Sequence, residues 1–471
     1  MSTQPLNSSQ VRSVGGTEHS WCKAVLGGTG IAVLAILTTQ NPDISRLRNA
    51  LHKLQNSHPI IRSRLHYNPS GNTFSFVTSP SPFIHVKSFN QLTTSNILEN
   101  LYNKQENQNI SPLHLILEHE LNKNAWTTSG NSSNTKTDVF FASVYALPGA
   151  KWVVVLRLHA SACDRTTAVS LLRELLTLTG INEEGKEMTN KTEVSLAIED
   201  LVPKGKAKKT LWARGVNMLS YSVNSFRLTN LKFKDTKSPR STQVVRLLIN
   251  PEDTRKILSG CEARGIKLCG ALSAAGLIAA HSSKWRCSSD YQKKKYGVVT
   301  LTDCRSILEP QLSNQHFGFY HSAILNTHVI KGGEKLWELA KKMYTSFTNS
   351  KNCNRHLSDM ADLNFLMCRA MENPGLTSSS SLRTSFISVF EDTVFDESND
   401  QQKQVGLGDY MACASTHGIG PSIAIFDTIR DGRLDCICVY PSPLHSREQI
   451  QELVDSMKAI LVDAGKNADE N

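Results

Sequence analysis

The sequence has no apolar run long enough to cross a bilayer. Its longest, Gly30 to Leu37, falls far short of the roughly 20 residues that span one. Met1 to Thr17 is polar and lacks the apolar core of a secretory leader. The eleven cysteines contain no CxxC pair and no paired zinc spacing. Cys436 and Cys438 form a single CxC with no second pair near it. Alternate residues of a strand share a face, so these two read as buried side chains rather than ligands. No His/Cys/Asp/Glu cluster has ligand spacing, so no metal is implied. Gly27-Gly28-Thr29-Gly30 has glycines but neither the Lys nor the strand-before, helix-after setting of a P-loop. It reads as a turn before a strand. An aromatic platform and a concentrated basic patch are also missing. The balance of 52 Lys+Arg against 42 Asp+Glu, net +10, therefore speaks for solubility and an anionic ligand rather than nucleic acid. Together these absences lead us to expect a reduced, cytoplasmic protein with no transmembrane segment.

What is present is ordinary globular material. The 471 residues are 39% apolar and 20% charged, enough for two or three folding units. Strand-like and helix-like stretches alternate. Gly30 to Thr39 is a buried strand, and Asn41-Pro42-Asp43 opens a helix carrying Ile44, Leu47, Leu51 and Leu54. Ser57-His58-Pro59 ends that helix, since the residue before proline disfavours the helical region. Ile60 to Tyr67 reads as a strand, Thr73 to Val77 as its hairpin partner, and Leu113 to Leu121 as a short element. Phe140 to Ala146 and Trp152 to Leu158 read as strands, followed by an amphipathic helix from Thr166 to Leu178. Val244 to Ile249 and Tyr296 to Asp303 are strands. Pro251 to Gly265, Gly270 to His281, Leu336 to Phe347 and Ser446 to Ala464 are helices. Arg430-Asp431-Gly432 is a hairpin turn between Ser422–Asp427 and Leu434–Tyr440. The expected fold is α/β or α+β, in two similar lobes. Residues 1–17 are expected as a disordered arm and 18–195 as the first lobe. Residues 196–240, with Lys204, Lys206, Lys208 and Lys209, form a basic crossover linker, and 241–471 the second lobe. A chain of this size buries its own core, so a monomer is expected.

Chemistry concentrates at Leu158-His159-Ala160-Ser161-Ala162-Cys163-Asp164-Arg165, where a strand runs into a polar corner before a helix. A histidine there is either a general base or a buried, hydrogen-bonded side chain. Leu54-Gln55-Asn56-Ser57-His58-Pro59-Ile60-Ile61-Arg62-Ser63-Arg64-Leu65 resembles a conserved-type segment of non-ribosomal peptide condensation domains and alcohol acetyltransferases. Leu301-Thr302-Asp303-Cys304-Arg305-Ser306 is similar to their second-lobe DxRS strand. Phe317-Gly318-Phe319-Tyr320-His321-Ser322 stands where they carry GN-x-x-S, and Leu336-Trp337-Glu338-Leu339-Ala340 resembles the helix that follows. In order and spacing the chain resembles the chloramphenicol acetyltransferase-like superfamily over roughly residues 18–465. The condensation and alcohol O-acetyltransferase branch fits better than the plant enzymes, whose DFGWG motif is missing.

The resemblance implies two lobes with a tunnel between them. It implies an acyl thioester entering from one face and an alcohol or amine from the other. It also implies an HHxxxDG motif at the junction, whose second His takes the acceptor's proton. The Asp of that motif is structural and pairs with an Arg, here Asp164 with Arg305. At the catalytic position this sequence has Ala160, after Asp it has Arg165, and at the Asn of GN it has Phe319. His159 and Asp164 are kept. Adjacent strand residues face opposite sides, so His159 replaces the lost base only if the corner is irregular. Ser322 is a candidate oxyanion donor, and His321 and His417 are spare imidazoles. Two readings stay open. One is acyl-CoA-dependent O- or N-acyl transfer to a small-molecule acceptor, with His159, Asp164 and Ser322 as site residues and no permanently bound cofactor. The other is a non-catalytic relative that binds a thioester, a metabolite or a protein partner in a regulatory role.

Overall fold

The computed structural model describes residues 10–103, 110–127, 136–180, 194–210, 214–215, 228–285, 294–373, 382–397, 402 and 405–467. The chain adopts the mixed α/β architecture expected. One sheet orders its five strands as Leu407–Thr416, Thr29–Thr38, Lys151–His159, Phe140–Leu147 and Val86–Phe89. A second runs His321–Ile330, Lys294–Asp303, Ile387–Phe390, Ile423–Arg430, Arg433–Ser442 and Ser241–Ile249, with Val394–Asp396 alongside Ile423–Arg430. A smaller sheet joins Gln10–Ser13, Thr73–Thr78, Ser63–Asn68 and Thr137–Asp138.

The local reasons are legible. Thr29–Thr38 is apolar on both faces, and such a strand belongs in the middle of a sheet; it pairs with Lys151–His159 on one side and Leu407–Thr416 on the other. The Ala-rich helix Leu268–Ser282 lies close on the second sheet, and a Cβ at Gly276 would stand 2.2 Å from Ile387 Cδ1. At the hairpin, Asp431 and Gly432 both take positive φ, the requirement of the turn whose twist matches the flanking strands. Helix Arg447–Lys466 opens with a Ser446/Gln449 capping box.

Three differences from the sequence reading have physical causes. Residues 10–17 are not an arm: Gln10–Ser13 pairs with Thr73–Thr78, and helix Gly16–Leu26 begins within them. Their polarity concealed burial, because Arg12 grips the buried Glu18 at 2.7 and 2.8 Å and Gly15 N–H donates to the same carboxylate. Residues 1–9 lie outside the described residues. Ile60 to Tyr67 is not all strand, since Pro59–Arg62 makes a tight helical turn before Ser63–Asn68. Most consequentially, Leu407–Thr416 leaves the second half of the chain and completes the first lobe's sheet, so the lobe boundary at residue 240 is crossed. Of the expected basic linker, 211–213 and 216–227 lie outside the described residues. Lys209 meets Asp359 and Asp362, the latter at 2.9 Å, while Lys204, Lys206 and Lys208 are exposed.

The crossing strand is tied back to the second lobe by charge. Arg246 donates to Asp409 at 2.6 and 2.9 Å and to Asp435 at 2.6 and 2.8 Å. Arg430 reaches the same two carboxylates at 2.7 and 2.9 Å. Removing one cation leaves two half-buried carboxylates sharing the other. Arg246→Met is expected to lower stability by about 2 kcal/mol, measured as a shift in the denaturation midpoint. No shift would show that Arg430 alone suffices.

Candidate functional site

The strand Lys151–His159 ends at the lobe junction, and residues Ala160–Ala162 make a tight turn into Asp164. Asp164 caps helix Arg165–Thr179 by accepting from Thr167 N at 2.8 Å. The same carboxylate accepts both Nη atoms of Arg305, from the second lobe, at 2.8 and 3.0 Å. Both side chains are buried. Tyr320 N–H adds a bond of 2.8 Å, and His321 Nδ1 lies 3.1 Å from Oδ2. Burial alone would raise the Asp164 pKa, but Arg305 and His321 outweigh it and hold the group well below the usual carboxylate range. An ionised carboxylate only accepts, so Nδ1 of His321 carries the proton. The other ring nitrogen, Nε2, has no hydrogen-bond partner among the described residues.

Helix Arg165–Thr179 binds the lobes further. Thr166 Oγ1 donates to Asp303 at 2.6 Å, Ser170 Oγ to Asn314 O at 2.9 Å, and Arg173 to Phe395 O at 2.8 Å. Arg165 lies over the Phe390 ring, pairs with Asp427 at 3.1 Å and donates to Asp392 O at 2.9 Å. His58 stacks on Phe317 with ring centroids 3.5 Å apart, while its Nε2 meets Glu174 at 2.7 Å. Two of the segments that carried the resemblance thus touch across the junction.

Between the lobes is a cavity of about 180 Å³, many times the roughly 15 Å³ that one water needs. Ala160, Asp164 and His321 share its wall. Its floor is small-sided, with Ala32, Ala412, Ala414 and Ala424. Aromatic side chains enclose it: Trp21 leans on Phe319 at 5.1 Å, and Phe390 contacts both His321 and Phe426. Gly30 has φ +97°, and a Cβ there would meet the Trp21 ring at 2.8 Å and Ala160 Cβ at 3.0 Å. Only glycine suits that backbone and that approach.

The expected site residues do not all come together here. His159 is not on the cavity wall. Its ring meets Trp126 edge-on at 5.1 Å, its Nδ1 accepts from Ser161 N–H and lies 2.7 Å from Ser161 Oγ, and burial lowers its pKa to about 3. The corner is irregular, yet it does not turn His159 toward the cavity. Ser322 is buried and donates to His356 O, away from that wall. His417 lines a separate, more open cavity beside Arg240 and Lys23. His321, which the sequence offered only as a spare imidazole, is the histidine of the site. Its position opposite Asp303 in the strand pairing follows from the sheet register, which sequence spacing does not give. Trp21, Phe390, Asp396 and Tyr410 also belong to the cavity and carried no sequence signal.

No family model matches the chain, and no curated protein does. Solved structures do. Polyketide synthase associated protein 5 from Mycobacterium tuberculosis superposes with a TM-score of 0.66 at 14% identity, over 98% of this chain and 99% of that one. A trichothecene 15-O-acetyltransferase from Fusarium sporotrichioides gives 0.70 at 10% identity, over 98% and 97%. The epimerization domain from the third module of tyrocidine synthetase B gives 0.61 at 12% identity, over 99% of both chains. The chain has the two-lobed chloramphenicol acetyltransferase-like fold. In this chain the buried Asp164–Arg305 pair joins the two lobes, and the cavity wall beside it carries the Ala160 methyl group.

Among the described residues, five imidazoles with lowered pKa make the fold sensitive to acid. Burial lowers His159 and His445 to about 3, and His328, His356 and His417 to about 4. Their folded pKa values lie below the ordinary 6.5, so the unfolded chain binds more protons between those limits. Stability is therefore full above about pH 6.5 and falls as pH drops toward 4. Each group adds a slope of up to about 1.4 kcal/mol per pH unit inside its window. Urea unfolding at pH 7, 6 and 5 is expected to show this decline, and His159→Gln to flatten it by one proton. A pH-independent midpoint across that range would contradict the burial.

Proposed function

We propose that this chain transfers an acyl group from a thioester, with acyl-CoA as donor, to a hydroxyl or amine acceptor held between the lobes, and that His321 is its general base. The observation that carries the reading is the His321–Asp164 contact on the wall shared with Ala160. Asp164 fixes the proton on Nδ1, which leaves the Nε2 lone pair for the acceptor. The acceptor's oxygen or nitrogen attacks the thioester carbonyl carbon as its proton passes to Nε2. The tetrahedral intermediate then collapses, the C–S bond breaks, and the leaving thiolate takes the proton back from the imidazolium. Arg305 keeps Asp164 ionised throughout, so the carboxylate orients the ring and stabilises its charged form. His159 serves the turn and not the chemistry. The small floor and aromatic walls suit an apolar acyl chain or acceptor body. The trichothecene 15-O-acetyltransferase and the epimerization domain support the reading, because one acetylates an oxygen and the other belongs to a peptide synthetase on the same fold.

The test is transfer from acetyl-CoA and hexanoyl-CoA to pooled alcohols and amines, followed by CoA release and product mass. His321→Ala is expected to reduce kcat by about 10²–10⁴-fold and to remove the acid limb of the kcat/KM profile. His159→Gln is expected to leave that limb in place. Equal rates for His321→Ala and wild type would place the base elsewhere. If wild type is silent and Ala160→His transfers, the chain is instead a binding protein that has lost its base.

A further inference from the structure

One carboxylate in the cavity takes no part in the chemistry above. Asp396 lines the cavity and is 8% exposed. Tyr410 Oη donates to its Oδ2 at 2.6 Å and Gln402 Nε2 to its Oδ1 at 3.2 Å. Burial and the adjacent carboxylate push the Tyr410 phenol upward, which keeps it a donor. A carboxylate offers about four acceptor positions, of which these bonds take two. Among the described residues no cation pairs with it. Arg173, a positive group on the same wall, donates to the Phe395 carbonyl. Arg430, over the Tyr410 ring at 4.5 Å, is engaged by Asp409 and Asp435. An uncompensated carboxylate in an apolar cavity is costly, and a cation from the ligand offsets that cost.

Its distance from the dyad follows from the strands. Phe390, in contact with His321, packs on Phe426, whereas Asp396 stands opposite Arg430. Phe426 and Arg430 are four residues apart on one strand, roughly 13 Å at about 3.3 Å per residue. The wall between them carries Thr428 and Arg165, the latter paired with Asp427, and is otherwise apolar or small. We propose that Asp396, with Tyr410 and Gln402, forms a subsite for a protonated amine at one end of an amphipathic ligand. The apolar body of that ligand lies along the alanine floor, and its reacting group lies at the His321 end. This assignment rests on the reading of the interlobe cavity as the ligand site, and its test does not need turnover.

Calorimetric titration of the full chain at pH 7 with octylamine, octanol and octanoate decides it. Octylamine is expected to bind at least about tenfold more tightly than octanol, the scale of one charge-assisted hydrogen bond, with octanoate weakest. Asp396→Asn is expected to abolish that preference, with its melting curve run beside wild type. The wild-type comparison stands alone if the variant does not fold. Octanol or octanoate binding as well as octylamine overturns the subsite, as does a preference that survives Asp396→Asn, or no binding of any of the three. Selective amine binding without acyl transfer refutes the transfer reading alone. Transfer without amine preference refutes this subsite alone.

Discussion

The Asp164 carboxylate is buried at the meeting point of two lobes, and nearly everything near the cavity depends on satisfying it. An unpaired charge there would cost several kcal/mol. It is met instead by five hydrogen bonds, from Thr167, Tyr320, His321 and both Nη atoms of Arg305. One of these starts a helix of the first lobe. The others come from the second lobe, so the pair fixes how the lobes face one another. Because those partners are spent on structure, the aspartate would be retained whether or not chemistry is.

One corner of the cavity is built from side chains distant in sequence. Ala160, Phe319 and Trp21 lie together, and the missing side chain of Gly30 allows the indole to approach. This corner of the cavity is therefore apolar. The polar function lies one short step away, on the strand that begins at His321. That imidazole stands among aromatic rings and beside a carboxylate from the other half of the chain.

Much of the fold was legible in the sequence. Helix Arg165–Thr179 and the helix beginning at Arg447 show apolar spacing and caps, and the Asp431-Gly432 turn names its own geometry. The pairing of Asp164 with Arg305 followed from the resemblance and is present in the structure. Other features were hidden for definite reasons. Helix Gly16–Leu26 buries Thr17, Glu18 and Ser20 against the polar partners Glu199, Arg12 and Asn364, so its pattern looks exposed. The strand Leu407–Thr416 is assigned no element from its sequence, and a short mixed stretch does not say which sheet it joins. His321 gains its meaning only from a register and a carboxylate 157 positions away.

That borrowed strand also has a consequence in time. As the chain leaves the ribosome, Thr29–Thr38 finds one neighbour as soon as Lys151–His159 appears. Its other neighbour emerges about 250 residues later, roughly 13–50 s at about 5–20 residues per second. Through that interval the first sheet presents an open, apolar edge, the feature that invites pairing with other chains. The native edge of the first lobe closes only once Leu407–Thr416 has emerged.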